Sequence, residues 1–524
     1  MMTNRISALK FPVALMAVFA FIGCGSTPKK HTESVVKAKP NIIFIYADDL
    51  GYGDLGVYGA TGIKTPNIDK LANGGIVFTS GYATSATCTP SRYGLLTGTY
   101  PWRNSDAKIL PGTAPLLIDT EQMTIPKMLR AEGYDTGIVG KWHLGLGTGD
   151  VDWNKHISPG PNEVGFDYSF IMAATQDRVP TVYIRDGKVV GLDPKDPIQV
   201  DYKKNFAGEP TATENPELLK MKWHHGHNQS IVNGIPRIGY MKGGTAAKWK
   251  DEDMADTFLD DAKKYIGSHK SKPFFLYYAL QQPHVPRTPS PRFVGASGLG
   301  PRGDVIVEAD WCVGELMKKL EAEGLLENTL IVLSSDNGPV LNDGYYDDAV
   351  EKLGTHRPAG ALRGGKYSLF DGGTRVPFVT YWKGQIKPGT SDAIVCQMDL
   401  LASLASMVGS KETKLSDSQN LMNELLGKGT VGRKALVLEA NAKTLLRKGD
   451  WIMIPPYKGA SKMNTEVNIE MGPDNDYQLY NTRKDIGQQN NVAKQFPDKL
   501  KEMKETFEKL RGSDYQNVQE LKLQ

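Results

Sequence analysis

Four apolar runs in this chain end in polar or ionisable residues, and that pattern restricts the possible folds more than any other feature. "NIIFIYADDLG", Asn41 to Gly51, closes on Asp48 and Asp49. "YDTGIVGKWHLG" closes on Lys141 and His143, "PFFLYYALQQPHVP" on His284, and "TLIVLSSDNG" on Asp336 and Asn337. Continuous apolar runs of this kind suit strands buried on both faces. Helical patterns lie among them: "TIPKMLRAEG", "MADTFLDDAKKYIGSH" and "EADWCVGELMKKLEAEG". The alternation predicts an α/β fold, a large mixed and mostly parallel sheet flanked by helices. Ligands of such sheets bind beyond the carboxyl ends of the strands. The polar residues that close the four runs are therefore expected to converge.

The rest of the chain reads as additions to that scaffold. The segment from about Gln176 to Gly244 has weak periodicity and many turn signals, and is expected to form an elaborated loop region over the site. "RKALVLEA", "TLLRKGDWIMIPP" and "DYQLYNT" are strand candidates, and "FPDKLKEMKETFEKLRG" is an amphipathic helix. They predict a smaller C-terminal α+β subdomain, residues 411–524, after a catalytic domain at 40–410. At the N-terminus, Arg5 and Lys10 precede "FPVALMAVFAFI", which is too short to span a bilayer and reads as a signal peptide over residues 1–23. "FIGCGS" resembles a bacterial lipobox, with Phe21 where Leu is usual; it implies a lipid anchor to the membrane at Cys24 and a polar tether over 24–39. The expectation is an exported lipoprotein of a Gram-negative bacterium, periplasmic or at the cell surface. A net charge of +3, with no dense basic block, argues against a nucleic-acid partner.

Asp48, Asp49, Asp336 and Asn337 offer only oxygen donors. That set suits a hard cation, Ca²⁺ or Mg²⁺, rather than zinc. Arg92, Lys141, His143, His284 and Lys366 supply positive charge and proton donors. A dication with an arginine and two lysines suits a tetrahedral oxyanion whose charge must be stabilised during reaction. Of the three cysteines after Cys24, Cys312 and Cys396 lie in apolar, helix-like surroundings. Cys88 stands alone in "TSATCTPSRYGLLTGTY", at the predicted start of a helix and just ahead of Arg92.

"CTPSRYGLLTG" matches without departure the Cys-x-Pro-Ser-Arg-x-x-x-Leu-Thr-Gly signature of the type I sulfatases. "GYDTGIVGKWHLG", "PHVP", "SDNG" and "RGGKYSLFDGGTRVP" resemble further segments of that family in the same order, and the resemblance runs from about Pro40 to the C-terminal "DYQLYNTRKDIGQQNNVA". It implies that a formylglycine-generating maturase oxidises Cys88 to Cα-formylglycine. The aldehyde hydrates, one hydroxyl attacks sulfur, and loss of the second hydroxyl's proton expels sulfate. It further implies that Asp48, Asp49, Asp336, Asn337 and an oxygen of residue 88 bind the cation. Arg92 would hold the hydrated aldehyde, and Lys141 would bridge it to the sulfate. His143 would be the base that triggers sulfate expulsion, His284 the acid for the leaving alcohol, and Lys366 a sulfate ligand. Thr175 falls near a polar sulfate-site position of the family.

An exported sulfatase suggests a sulfated carbohydrate substrate, here a sulfated galactose or N-acetylgalactosamine attacked from a chain end. Asp177 and Arg178 are the first candidates for hydroxyl recognition. His225 and His227, beside Trp223 and His224, are others, although "HHGH" also reads as a metal-binding or plain surface cluster. His356 and Arg357 are further rim candidates. The alternatives are a phosphonate or phosphate monoester hydrolase of the same superfamily and a non-catalytic glycan-binding lipoprotein.

Overall fold

The computed structural model describes residues 39–514. The expected signal peptide and the tether with Cys24 fall outside the described residues. Among those described, no helix is long and apolar enough to cross a membrane.

The four runs that end in polar residues are the centre of a ten-stranded sheet. Its strands are β1 (Asn41–Asp48), β2 (Ile76–Phe78), β3 (Asp135–Lys141), β4 (Tyr168–Met172), β5 (Tyr183–Arg185), β6 (Lys188–Val189), β7 (Phe274–Pro283), β8 (Thr329–Ser335), β9 (Phe378–Tyr381) and β10 (Gly389–Ser391). The spatial order is β10-β2-β9-β8-β1-β7-β3-β4-β5-β6. The inner strands β8, β1, β7, β3 and β4 all run parallel, so their carboxyl ends share one edge. Antiparallel pairing appears only toward the flanks, at β8–β9, β9–β2, β4–β5 and β5–β6.

Alternation along β1 shows how the sheet divides the core. Ile42, Phe44 and Tyr46 pack into one apolar layer, with α3 (Ile125–Ala131) and α6 (Leu400–Val408). Ile43, Ile45 and Ala47 pack into the other, with α1 (Pro66–Asn73), α4 (Met254–Ser268) and α5 (Gly300–Ala322). This is the period of two that a strand imposes, and it explains why β1 reads as an unbroken apolar run. Helix α5 begins earlier than the sequence pattern suggests, and Cys312 is buried in it. Cys396 is also buried, but it ends a two-residue strand rather than lying in a helix.

The segment 176–244 is a set of short strands and turns, as its composition suggests. The C-terminal region forms a four-stranded antiparallel sheet of β11 (Leu436–Ala440), β12 (Lys443–Lys448), β13 (Trp451–Ile454) and β14 (Gln478–Asn481), with helix α7 (Pro497–Arg511). Its apolar face shares a core with Tyr82, Tyr100 and Phe370 of the main body.

Candidate active site

Adjacent residues of a regular strand point to opposite faces, so Asp48 and Asp49 can serve one site only if the strand is broken there. It is broken twice. The pairing of β1 with β7 slips between Tyr46 and Asp48, and Asp49 takes a positive φ of 67°. Such irregularities re-aim side chains next to functional sites. Asp49 N–H then donates to Asp336 Oδ1 at 3.1 Å, and Asn337 Nδ2 donates to Asp49 Oδ1 at 2.6 Å. The turn after β8 is tight: a Cβ on Gly338 would lie 1.7 Å from the Gly372 carbonyl oxygen, so only glycine fits where the glycine-rich segment crosses.

Cys88 is the first residue of α2 (Cys88–Thr97), whose every residue is buried. Two bonds fix the approach to this helix: Ser85 N–H donates to Ser91 Oγ at 3.1 Å, and Ser91 Oγ–H donates to the Ser85 carbonyl at 2.8 Å. Thr89 Oγ1 donates to the His143 carbonyl at 2.9 Å and ties the helix to the end of β3. One turn on from Cys88, Arg92 donates from Nε and Nη2 to Asp336 Oδ2, at 3.1 and 2.7 Å. Lys141 Nζ reaches Asp48 Oδ2 at 2.6 Å. Lys366 Nζ is held by Asp49 Oδ2 at 2.9 Å and Asp343 Oδ2 at 2.8 Å.

These charges are buried, and their balance is informative. Asp48, Asp49, Asp336 and Asp343 face Arg92, Lys141 and Lys366, which leaves one negative charge in excess. Burial pushes the Asp48 carboxyl well above the usual carboxylate range, against the pull of Lys141. Asp336 is also raised by burial, but Arg92 and Lys141 outweigh that and bring it down to about 2. Asp48 Oδ1 and Asn337 Oδ1 are buried with no hydrogen-bond partner. A bound dication would satisfy both orphan oxygens and reverse the excess charge, which then matches one sulfate monoester. The residues present thus fit a hard cation. Ligand atoms of Asp48, Asp49 and His284 lie within 4.8 Å of one another, so His284 borders the oxygen cluster.

Both histidines have an assignable free nitrogen. His143 Nε2 lies 2.9 Å from the Leu110 carbonyl, so the proton belongs there, and Nδ1 faces Cys88 Sγ at 3.3 Å. His284 Nδ1 lies 2.6 Å from the Val285 carbonyl, which leaves Nε2 toward Asp49 at 3.9 Å. Burial, reinforced by Lys366, lowers His284 to about 4. Burial also pushes the Cys88 thiol up despite Lys141 and Lys366. An unmodified Cys88 would therefore be a poor thiolate nucleophile.

A cavity of about 280 Å³ opens over Cys88, His284 and Lys366. Asp177, Arg178, His225 and His227 line it. Arg178 Nη1 bonds both Asp177 oxygens at 3.1 and 3.0 Å, and His227 Nε2 lies 2.8 Å from Asp177 Oδ2. Burial raises the Asp177 carboxyl, and Arg178 and His227 more than reverse the effect, so it stays ionised. Thr175 does not line the cavity: its Oγ1 accepts from Arg178 Nη1 at 2.7 Å and steadies that side chain. Neither rim candidate is part of the lining. His356 is buried away from the cavity, 2.8 Å from Asp54 Oδ1, where Arg302 also binds, and it braces the loop after β1. Arg357 is exposed and is not part of the lining. Asp343, Tyr367, Met463 and Asn464 line the cavity without having stood out in the sequence, because they sit in aperiodic loops.

Residues 40–410 match the Sulfatase family. The chain is 51% identical over 501 residues to an N-acetylgalactosamine-6-O-sulfatase of Bacteroides thetaiotaomicron, covering 95% of this chain and 98% of that one. It is 33% identical to human arylsulfatase A over 76% of this chain and 70% of the relative. A structure solved in the context of glycosaminoglycan metabolism by Bacteroides thetaiotaomicron superposes with a TM-score of 0.89 at 50% identity, over 90% of this chain and 99% of that one. With the buried cation–carboxylate network, the lone cysteine at a helix start and these relatives together, the chain belongs to the sulfatase family and is a sulfuric ester hydrolase.

Proposed function

We propose that this sulfatase removes the 6-O-sulfate from N-acetylgalactosamine at the end of a sulfated glycan. The observation that carries the reading is the 51% identity, over nearly the whole chain, to a relative with that activity. The cavity of about 280 Å³ suits one terminal sugar, lying just below the range of about 300–1,000 Å³ for small-molecule sites. In this reading Cys88 is matured to Cα-formylglycine, and the Asp48, Asp49, Asp336 and Asn337 set holds Ca²⁺, with Mg²⁺ the alternative. The hydrated aldehyde supplies the nucleophilic hydroxyl and the cation supplies charge stabilisation.

The chain's own residues do the rest. His143 offers Nδ1 to residue 88 as a base, its ring held by the Leu110 carbonyl. Lys366 spends two N–H bonds on Asp49 and Asp343 and keeps one for a sulfate oxygen. His284 presents Nε2 to the cavity, and an anionic ester beside it favours the protonated ring that the leaving alcohol requires. Arg178 and Asp177 provide paired donors and acceptors for ring hydroxyls. The N-terminal segment would export the enzyme and anchor it through Cys24 to a Gram-negative membrane, facing the periplasm or the cell exterior.

Protein made together with a maturase tests this reading. The peptide containing residue 88 should have the mass of the aldehyde form. Sulfate should be released from 6-O-sulfated N-acetylgalactosamine and far more slowly from its 4-O-sulfated isomer or an aryl phosphonate. Preference for the 4-O isomer would overturn the assignment of position.

A further inference from the structure

The cavity has a second polar wall, made by two loops remote in sequence. His225 comes from the segment after Trp223, and Met463 and Asn464 come from the loop between β13 and β14. The hydrogen-bond chain of this wall can be resolved from its partners. Asn464 Oδ1 accepts from Val467 N–H at 2.7 Å, which orients the amide and turns Nδ2 toward His225 Nε2, 3.4 Å away. Because it faces a donor, His225 Nε2 is the unprotonated nitrogen. The ring proton is then on Nδ1, which donates to His224 Nδ1 at 2.6 Å. Burial holds both rings below the usual histidine value, in keeping with neutral imidazoles.

The wall therefore presents an N–H donor beside a lone-pair acceptor, joined only by a hydrogen bond at the long limit of the range. The apolar side chains of Met463 and Ile109 line the same cavity. Neither Asn464 nor His225 forms a side-chain hydrogen bond with Cys88, His284, Lys366 or Asp343. An acetamido group has the complementary set: a carbonyl acceptor, an N–H donor and a methyl.

We propose that Asn464 and His225 are specificity-determining residues that clamp the acetamido group of the substrate. Asn464 Nδ2 donates to its carbonyl, His225 Nε2 accepts its N–H, and the methyl rests on Met463. Carbon 2 of a pyranose lies across the ring from carbon 5, which carries the exocyclic carbon and its 6-oxygen, so one sugar directs its acetamido group and its 6-sulfate to opposite sides and can engage this clamp and the sulfate end together. A hydroxyl in place of the amide leaves the wall partly unpaired, which is how hydrogen-bonding sites discriminate. The inference rests on the 6-O-sulfatase reading and adds what recognises the amino sugar.

The test is the ratio of kcat/KM for N-acetylgalactosamine 6-sulfate and galactose 6-sulfate, measured on matured enzyme. Wild type should favour the acetamido sugar. In Asn464→Ala the ratio should fall about tenfold, with the loss carried by KM. Asn464→Asp keeps the acceptor for Val467 N–H, and so the loop's own bond, but removes the donor; it should lower the ratio as well. An unchanged ratio in both variants, or no wild-type preference, would overturn the clamp. A wild type that releases sulfate from neither sugar but acts on a 4-O-sulfated one would overturn the underlying reading, and that would show before any variant is made.

Discussion

His284 stands 4% exposed between Lys366 and Asp49, and its environment makes a prediction about pH. Burial, and secondarily Lys366, lowers it to about 4 in the folded protein. The unfolded chain binds this proton nearer the ordinary value of about 6.5. As pH falls, the unfolded state is therefore protonated first. The contribution of this residue to stability is complete above about pH 6.5 and is lost on the way to pH 4, on the order of 3 kcal/mol. His284→Gln should lack that loss. Denaturant midpoints for the two proteins between pH 7 and pH 4 should diverge in slope; parallel curves would mean the histidine is not held neutral by its surroundings. The same residue shows what was legible at this scale. His284 stood out because it closes a strand-like run, as do Asp48, Lys141 and Asp336. His356 misled because a histidine in a turn-rich segment gives no sign of its partner, and Asp54 and Arg302 are brought to it only by folding.

At the scale of elements, the site depends on how closely β3 and β7 can approach. Gly140 sits at φ 114°, one residue before Lys141, and a Cβ there would lie 1.8 Å from the Ala279 carbonyl oxygen. That oxygen is backbone and cannot swing away. Gly140→Ala should therefore separate the strand ends, displace Lys141 from Asp48 and cost about 3 kcal/mol. The expected result is a lower unfolding midpoint together with a fall in kcat at saturating substrate. Wild-type stability and turnover in the variant would show that the strands tolerate the added carbon. The parallel strands β1, β3, β7 and β8 were readable because each carries an apolar stretch buried on both faces. The flanks were harder to read: β5, β6 and β10 are two or three residues long, too short to carry a period.

At the scale of the whole molecule, the family match ends at residue 410, yet the chain beyond it belongs to the catalytic body. Ala86 N–H donates to the Glu439 carbonyl at 2.8 Å, and Glu439 N–H donates to the Thr84 carbonyl at 3.2 Å. Strand β11 thus pairs with the segment that leads directly into Cys88. The loop after β13 supplies Met463 and Asn464 to the cavity. Leu438, Ile452 and Phe507 share their core with Tyr82, Tyr100 and Phe370. A chain ending at Gly429 would lose that pairing and expose this apolar surface, which favours aggregation. Such a truncation should give little soluble protein, and the soluble fraction should release no sulfate from any sulfated sugar. A soluble, active truncation would show that the main sheet holds Cys88 in place without the C-terminal sheet. The expected outcome follows from topology: the entry to α2 is held on one side by Ser91 and on the other by β11, and removing either support frees the residue on which the chemistry turns.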